Sequence, residues 1–126
     1  MRKFRPTEAE LEILQVLWKF APCTVRFIHD KLKQKKQVRY TTTLKILQNM
    51  YEKKMVARDE SSRSHLYQPL LKEGETQQLL LKRFTQTAFE GSAMKLVMQA
   101  LGNHRASKEE ISEIRRLLDK IEGDKK

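Results

Sequence analysis

The order of helical and strand-like segments in the first seventy residues constrains the fold more than any other feature of the sequence. Three segments, over residues 7–20, 25–34 and 39–54, carry apolar residues at the i, i+3, i+4 spacing of a helix. Two short strand-like runs follow, over 55–59 and 65–69, with the polar sequence ESSRS between them. Polar residues between two such runs are typical of a hairpin turn. The sequence therefore predicts three helices followed by a β-hairpin.

The ends of these helices are also marked in the sequence. Thr7 and Glu10 are spaced as a capping box, in which each side chain bonds a backbone N–H that the helix leaves open. Pro22 ends the first helix, and Thr24 is placed to cap the second. The side chains expected to pack the first helix on the core are Leu11, Leu14, Leu17 (or Trp18) and Phe20.

The third segment is unusual because it begins with three threonines, which are mediocre helix formers. Its predicted buried stripe is Thr43, Ile46, Leu47 and Met50. Its opposite face holds Thr41, Thr42, Lys45, Gln48 and Asn49. No acidic residue occurs in this segment before Glu52, which favours contact with phosphates, since a carboxylate would repel them. Threonines at a helix start are also common as plain caps, so this face alone does not decide the function.

Positive charge is concentrated in the same part of the chain. Residues 1–70 contain fifteen Lys and Arg against seven Asp and Glu, whereas residues 71–126 contain eleven against nine. Helix order, hairpin and charge together predict a mainly α protein with a winged helix-turn-helix that binds a polyanion. In this fold the third helix enters the DNA major groove and the hairpin lies along the backbone. The predicted DNA-binding residues are Arg39, Tyr40, Thr41, Thr42, Lys45, Gln48, Asn49, Ser62 and Arg63.

The second half predicts helices with more apolar surface than they could bury among themselves. Helical patterns run from residue 72, through SAMKLVMQAL, and over KEEISEIRRLLDKIEG, where Ser107 and Glu110 form a second capping box. We expect a winged-helix domain over 1–71 and a three-helix dimerisation domain over 72–126, because a second copy would cover the exposed apolar residues. The alternative is a monomer in which these helices pack on the first domain. The residues expected at the dimer interface are Leu80, Leu81, Phe84, Leu96, Val97, Leu101, Ile111, Ile114, Leu118 and Ile121.

Other functional classes find little support in the sequence. Cys23 is the single cysteine, which excludes an internal disulfide, and His29, His65 and His104 are too scattered for a metal site. No Gly-rich phosphate loop or catalytic motif occurs, so we expect neither an enzyme nor a bound cofactor. The sequence shows no apolar run of membrane-spanning length and no secretory signal, so we expect a cytoplasmic protein.

Three stretches resemble the penicillinase-repressor (BlaI/MecI-type) family of transcriptional regulators, namely TEAELEILQVLW, RYTTTLKILQNMYEKKMVARDESSRSHLYQPL and EEISEIRRLL. The resemblance covers nearly the whole chain. It implies a bacterial homodimeric repressor with an N-terminal winged helix and a C-terminal helical dimerisation region. Such a repressor would bind a palindromic operator and be released when a membrane-bound sensor metallopeptidase leads to its cleavage.

The sequence departs from the family pattern at several points. Lys54 stands where the family usually has glycine, so residue 54 is expected to take a less favourable backbone conformation or to leave the helix differently. Thr43 stands where valine or isoleucine is common, and its hydroxyl needs a partner. The helix KLVMQAL lacks the Asn-Phe dipeptide at which well-known members are cleaved. The C-terminus also lacks the clustered cysteines of copper-responsive relatives, which disfavours copper sensing.

Two other functions are compatible with the sequence. A winged helix can also bind RNA or associate with a ribosome, and basic charge does not discriminate between RNA and DNA. Against this, few aromatic residues are available to stack on unpaired bases. Alternatively, the C-terminal helices could be a docking module for another protein, with the basic half incidental. The operator sequence, the regulated genes and the inducing signal are not specified by the sequence.

Overall fold

The computed structural model describes residues 5–124, and its elements follow the predicted order. In chain order they are α1 (Glu8–Phe20), α2 (Val25–Lys33), α3 (Tyr40–Glu52), β1 (Val56–Asp59), β2 (Leu66–Pro69), α4 (Glu73–Phe89), α5 (Ala93–Asn103) and α6 (Lys108–Asp124). This confirms the prediction of a mainly helical winged helix-turn-helix followed by further helices. By its internal contacts the chain divides into two compact units after Leu80, within α4. A functional boundary at 71/72 stays a prediction.

Both predicted capping boxes are present. The backbone N–H of Thr7 donates to Glu10 Oε1 at 2.9 Å, and that of Glu10 donates to Thr7 Oγ1 at 3.1 Å. Ser107 and Glu110 make the same reciprocal pair before α6, at 3.0 and 3.1 Å. Thr24 Oγ1 accepts from the N–H of Phe27 at 3.1 Å, so α2 also begins where the sequence predicts.

The core of the first unit lies between the three helices and the hairpin. The side chains that are buried there are Ile13, Leu14, Leu17, Cys23, Ile28, Leu32, Leu47, Met50, Met55, Val56 and Tyr67. The prediction that Phe20 packs in this core is wrong, because its side chain is 44% exposed at the end of α1. There Phe20 makes an edge-to-face contact with Phe27, with ring centroids 5.3 Å apart, and Lys31 lies over its ring.

The hairpin is held to the helices at its base. β1 and β2 pair antiparallel from Val56↔Pro69 to Asp59↔Leu66, each one residue shorter than predicted. The connection between α1 and α2 joins this sheet through Cys23, whose N–H donates to the Tyr67 carbonyl at 3.1 Å. The N–H of Tyr67 in turn donates to the Cys23 carbonyl at 2.7 Å. The cysteine is therefore a buried free thiol in a backbone bridge, as expected for a core residue.

A buried carboxylate connects the start of α1 to the end of α3. Glu10 is almost fully buried, and its Oε2 accepts a hydrogen bond from Lys53 Nζ at 2.7 Å. Burial by itself raises the pKa of Glu10, but hydrogen bonds from Lys53 and Thr7 outweigh it, so the pKa lies below its ordinary value. The charged form of Glu10 therefore stabilises the folded state.

The end of α3 is a Schellman motif with lysine in the position that usually holds glycine. The N–H of Met55 donates to the Met50 carbonyl at 2.9 Å, and that of Lys54 donates to the Tyr51 carbonyl at 3.1 Å. The motif requires a left-handed residue, and Lys54 takes that conformation with φ 65°. Of the two alternatives for residue 54, the structure shows the less favourable backbone.

The second unit buries very little of its apolar surface. Neither α5 nor α6 contains a buried residue. Phe84 and Phe89 make an edge-to-face contact at 5.7 Å, yet Phe84 remains 55% exposed. The large apolar side chains exposed in this unit are Leu81, Phe84, Met94, Val97, Met98, Leu101, Ile111, Leu117, Leu118 and Ile121. Within residues 5–124, no helix is both long and apolar enough to span a membrane.

Candidate nucleic-acid interface

The exposed face of α3 carries the polar residues that the sequence predicted there. Its five members span an arc of about 120° on a helix of 3.6 residues per turn. All five side chains are exposed, and they are Thr41, Thr42, Lys45, Gln48 and Asn49. On the opposite side Thr43, Leu47 and Met50 are buried, which fixes the rotation of the helix. The polar face therefore points to solvent.

The first turn of α3 contains no acidic residue, and its N-cap is Arg39. Because Arg39 occupies the N-cap position, none of the three threonines is the N-cap, and within the described chain the Arg39 side chain makes no capping hydrogen bond. The first N–H groups of a helix have no partner within the helix and carry a partial positive charge. The start of α3 can therefore accept an anion.

Behind this start, a guanidinium and a histidine ring contact Tyr40. The guanidinium of Arg26, from α2, lies 4.7 Å from the centroid of the Tyr40 ring. The ring of His29 meets Tyr40 edge to face at 5.3 Å. His29 is buried, and its Nδ1 is 3.0 Å from the hydroxyl of the fully buried Thr43. The hydroxyl that sequence analysis flagged at position 43 thus has a partner within the core.

A cleft of about 360 Å³ lies between the start of α2, α3 and the hairpin. The residues that line it are Thr24, Val25, Arg26, Tyr40, Leu44, Gln48, Arg58, Arg63, Ser64, His65 and Tyr67. Three of these described residues are arginines and none is acidic. The cleft therefore offers guanidinium groups, which bind phosphate through paired N–H donors.

Arg58 is held on several sides within this cleft. Its guanidinium lies 4.0 Å from the centroid of the Tyr51 ring, at the end of α3. Its Nε donates to Glu60 Oε2 at 2.6 Å, and Tyr67 is its cross-strand partner. Hydrogen bonds with Tyr67 and Glu60 raise the pKa of Arg58 above its ordinary value, so its charge is permanent.

The tip of the hairpin is shaped by its own side chains. The N–H of Ser61 donates to Asp59 Oδ1 at 2.9 Å, which lowers the pKa of Asp59. The hydroxyl of Ser62 donates to the Ser64 carbonyl at 2.8 Å. Ser62 is therefore part of the turn, and Arg63 extends from the same turn into the lining of the cleft.

Comparison with known proteins places this architecture in a family. The family model described as "Penicillinase repressor" matches residues 6–120. The chain belongs to the penicillinase repressor family. Members of this family are transcriptional repressors. The absence of an enzymatic activity in this chain stays a prediction.

Several curated relatives of this penicillinase repressor family member match over most of their length. The penicillinase repressor of Staphylococcus aureus is 23% identical over 113 residues, which are 90% of this chain and 90% of that protein. The methicillin resistance regulatory protein MecI of Staphylococcus aureus is 21% identical over 119 residues, covering 94% and 97%. The transcriptional regulator BlaI of Mycobacterium tuberculosis is 26% identical over 117 residues, covering 91% and 83%.

The structure brings only part of the predicted DNA-binding set into the cleft. Tyr40, Gln48 and Arg63 line it. The others lie outside its lining but are exposed on α3, at its N-cap or at the hairpin tip, and they are Arg39, Thr41, Thr42, Lys45, Asn49 and Ser62. For this family member, contact of these residues with DNA stays a prediction.

Eight residues of the cleft lie outside the predicted DNA-binding set. They are Thr24, Val25, Arg26, Leu44, Arg58, Ser64, His65 and Tyr67. The position of Arg26 in the first turn of α2 could have indicated it, because the start of α2 lies at the same cleft as α3. Arg58 gave no such signal, since its place opposite Tyr67 depends on the hairpin register. Among the described residues, no three His, Cys, Asp or Glu side chains form a group that could hold a metal.

Proposed function

We propose that this penicillinase repressor family member is a sequence-specific DNA-binding repressor that binds a two-fold operator as a homodimer. The observation that supports it best is the exposed, acid-free face of α3 beside a cleft lined by three arginines. Family membership supports the same function independently.

In this proposal the exposed polar face of α3 enters the major groove. Lys45, Gln48 and Asn49 are long enough to reach base edges, and an amide can pair with adenine through two hydrogen bonds. Thr41 and Thr42, one turn earlier, are suited to the flanking phosphates, together with the open N–H groups at the helix start.

Two of the cleft arginines would contact the DNA backbone on the side of the wing. Arg63 extends from the hairpin tip, and Arg26 comes from the start of α2. These two residues lie on different elements, so they could hold phosphates on either side of the groove that α3 enters. Such contacts set the position of the protein on the duplex without reading its sequence.

The exposed apolar residues of the second unit support a homodimer. Val97 and Leu101 on α5 and Leu118 on α6 are 43–58% exposed, although leucine and valine side chains each contribute about 1.5–3 kcal/mol when fully buried. In α6, Ile111, Ile114, Leu118 and Ile121 step by three and four residues, the spacing of a helix–helix interface. A second copy of the chain would cover these side chains and present two winged helices to a palindrome with half-sites about 34 Å apart.

The family resemblance also suggests control by a membrane-bound sensor metallopeptidase. The α5 sequence AMKLVMQALGN has no Asn-Phe dipeptide, so a cleavage at that dipeptide is not available there. We therefore propose this control only in the general form that a protease or a ligand releases the repressor from DNA.

A binding titration with the full chain tests the proposal. The probe is a duplex from the chain's own upstream region, compared with a scrambled duplex of equal length at 50 and 200 mM salt, with the mass in solution measured alongside. We expect a dimer, preference for the upstream duplex, and affinity that falls steeply with salt. Equal affinity for both duplexes would contradict sequence-specific binding, and a monomer indifferent to DNA would support a protein-docking module instead. Preference for single-stranded RNA in competition would support the RNA-binding alternative.

A further inference from the structure

An acidic residue of the hairpin is paired with one of the three arginines of the cleft. Arg58 is 20% exposed, and its guanidinium forms an ion pair with Glu60, which is 48% exposed and follows directly on β1. No acidic residue lines the cleft among its described members, so Glu60 brings a negative charge to it only through Arg58.

The surroundings of Arg58 fix its direction as well as its partner. The Tyr51 ring lies against its guanidinium at 4.0 Å, and Tyr67 lies opposite it in the hairpin. With the ring on one side and the carboxylate at Nε and Nη2, the strongest anion contact of this guanidinium is already made within the protein.

We propose that Glu60 is an internal counter-ion that withholds Arg58 from DNA phosphates and so limits the affinity of the wing for duplex. This inference rests on the proposed function, because it concerns the same interface. In the free protein and on DNA alike, Arg58 stays paired with Glu60, and Arg63 is the arginine that the hairpin offers to the backbone.

The physical reason is the small net free energy of transferring Arg58 from the Glu60 carboxylate to a DNA phosphate. Moving Arg58 from Glu60 to a phosphate replaces one ion pair by another, so the exchange gives little net energy. The exchange would also leave the Glu60 carboxylate unpaired beside the negatively charged backbone, which is unfavourable. Removing the Glu60 charge takes away both obstacles, while Tyr51 keeps the guanidinium in place.

The variant Glu60→Gln measures this effect directly. We expect it to bind both the upstream and the scrambled duplex several-fold more tightly than the wild type at 50 mM salt, because one more phosphate is neutralised. Each neutralised phosphate adds about 0.9 to the slope of log affinity against log salt, so the advantage should shrink about 3.5-fold between 50 and 200 mM salt.

Asp59→Asn is the matched control. Asp59 is adjacent and exposed, and its Oδ1 accepts from the N–H of Ser61, a bond that asparagine can keep. This variant removes the same charge from the same hairpin without releasing an arginine. We expect it to raise affinity less than Glu60→Gln and to leave the salt slope close to that of the wild type.

A second pair of variants tests whether Glu60 acts through Arg58. In an Arg58→Gln background, adding Glu60→Gln should raise affinity no more than Asp59→Asn does in the wild type. The inference is overturned if Glu60→Gln matches Asp59→Asn in affinity and slope, or if its effect persists without Arg58. It is also overturned if Glu60→Gln weakens binding, since Glu60 would then orient Arg58 for DNA.

These outcomes are separate from failure of the proposed function. If the wild type binds neither duplex, the proposed function fails first. If it binds and only the Glu60 comparisons fail, the proposed function stands and this inference does not. Thermal unfolding of each variant checks the fold, and we expect little change for Glu60→Gln and Asp59→Asn because both carboxylates are exposed.

Discussion

Replacing Lys54 by glycine should make the first unit more stable. Lys54 follows α3 with φ 65°, and the Schellman motif there places two buried methionines, Met50 and Met55, in register. Glycine keeps the N–H that bonds the Tyr51 carbonyl, and the Lys54 side chain is exposed, so no packing is lost. The substitution thus changes mainly the backbone energy of one residue.

The size of the effect follows from two opposing contributions. A left-handed conformation costs a residue with a Cβ about 1–2 kcal/mol, and glycine removes that cost. Glycine also gains freedom in the unfolded chain, which lowers stability by about 0.5–1 kcal/mol. The net gain in the free energy of unfolding should be about 0.5–1 kcal/mol, or a rise of about 2–8 °C in Tm for a unit of this size.

Urea unfolding followed by tryptophan fluorescence measures this gain. Trp18 is the single tryptophan and lies in the first unit, where its Nε1 donates to the Leu71 carbonyl at 2.9 Å, so it reports on that unit. Lys54→Ala is the control, because it removes the lysine side chain but keeps the Cβ, and it should leave stability nearly unchanged. A glycine variant no more stable than the alanine variant would refute the argument from backbone strain.

Three further predictions concern the core and α3. Glu10→Gln should lower the free energy of unfolding at pH 7, because the lowered pKa of Glu10 means that its charged form stabilises the fold. The difference from the wild type should fade as the pH drops below about 4.3, the pKa of glutamate in an unfolded chain. A pH-independent difference in urea midpoints would contradict this. Thr43→Val should lower the free energy of unfolding by about 1–3 kcal/mol, because it leaves buried His29 without its hydrogen-bond partner. In urea unfolding, the double variant with His29→Leu should lose less stability than the sum of the two single variants. If Lys45 contacts a base, Lys45→Ala should weaken binding to the operator alone, by about 1–3 kcal/mol. If Lys45 contacts a phosphate, the variant should weaken binding to the operator and to the scrambled duplex alike. Unchanged titrations would exclude Lys45 from the interface.

Local signals in the sequence were sufficient for much of the first unit. Thr7 and Glu10 predicted the start of α1 because a capping box depends on residues three apart, and both bonds are formed. The predicted stripe of α3 follows the helical period: Thr43, Leu47 and Met50 are buried, and Ile46 is partly buried against the core. The same helical period predicted the exposed polar face of α3, because a helix that buries one side must expose the other.

Features that depend on contacts distant in sequence were not predictable. The period of α1 placed Phe20 in the core, but the helix ends there and the side chain passes beyond the elements that would cover it. Arg58 lines the cleft only through the register that sets it opposite Tyr67, and through its contact with the ring of Tyr51. The ion pair of Glu10 with Lys53 likewise spans 43 residues, a separation at which spacing carries no information.

The backbone bridge between Cys23 and Tyr67 divides the wing into a fixed and an adjustable part. Because both backbone groups of Tyr67 bond the α1–α2 connection, the strands cannot tilt as a flap without breaking hydrogen bonds in the interior. In the proposed complex with DNA, adaptation to a wider or narrower groove would be left to the tip, residues 60–65. Arg58 belongs to the anchored part and Arg63 to the adaptable one. Of these two arginines, only Arg63 could therefore adjust its position to duplexes of different shape.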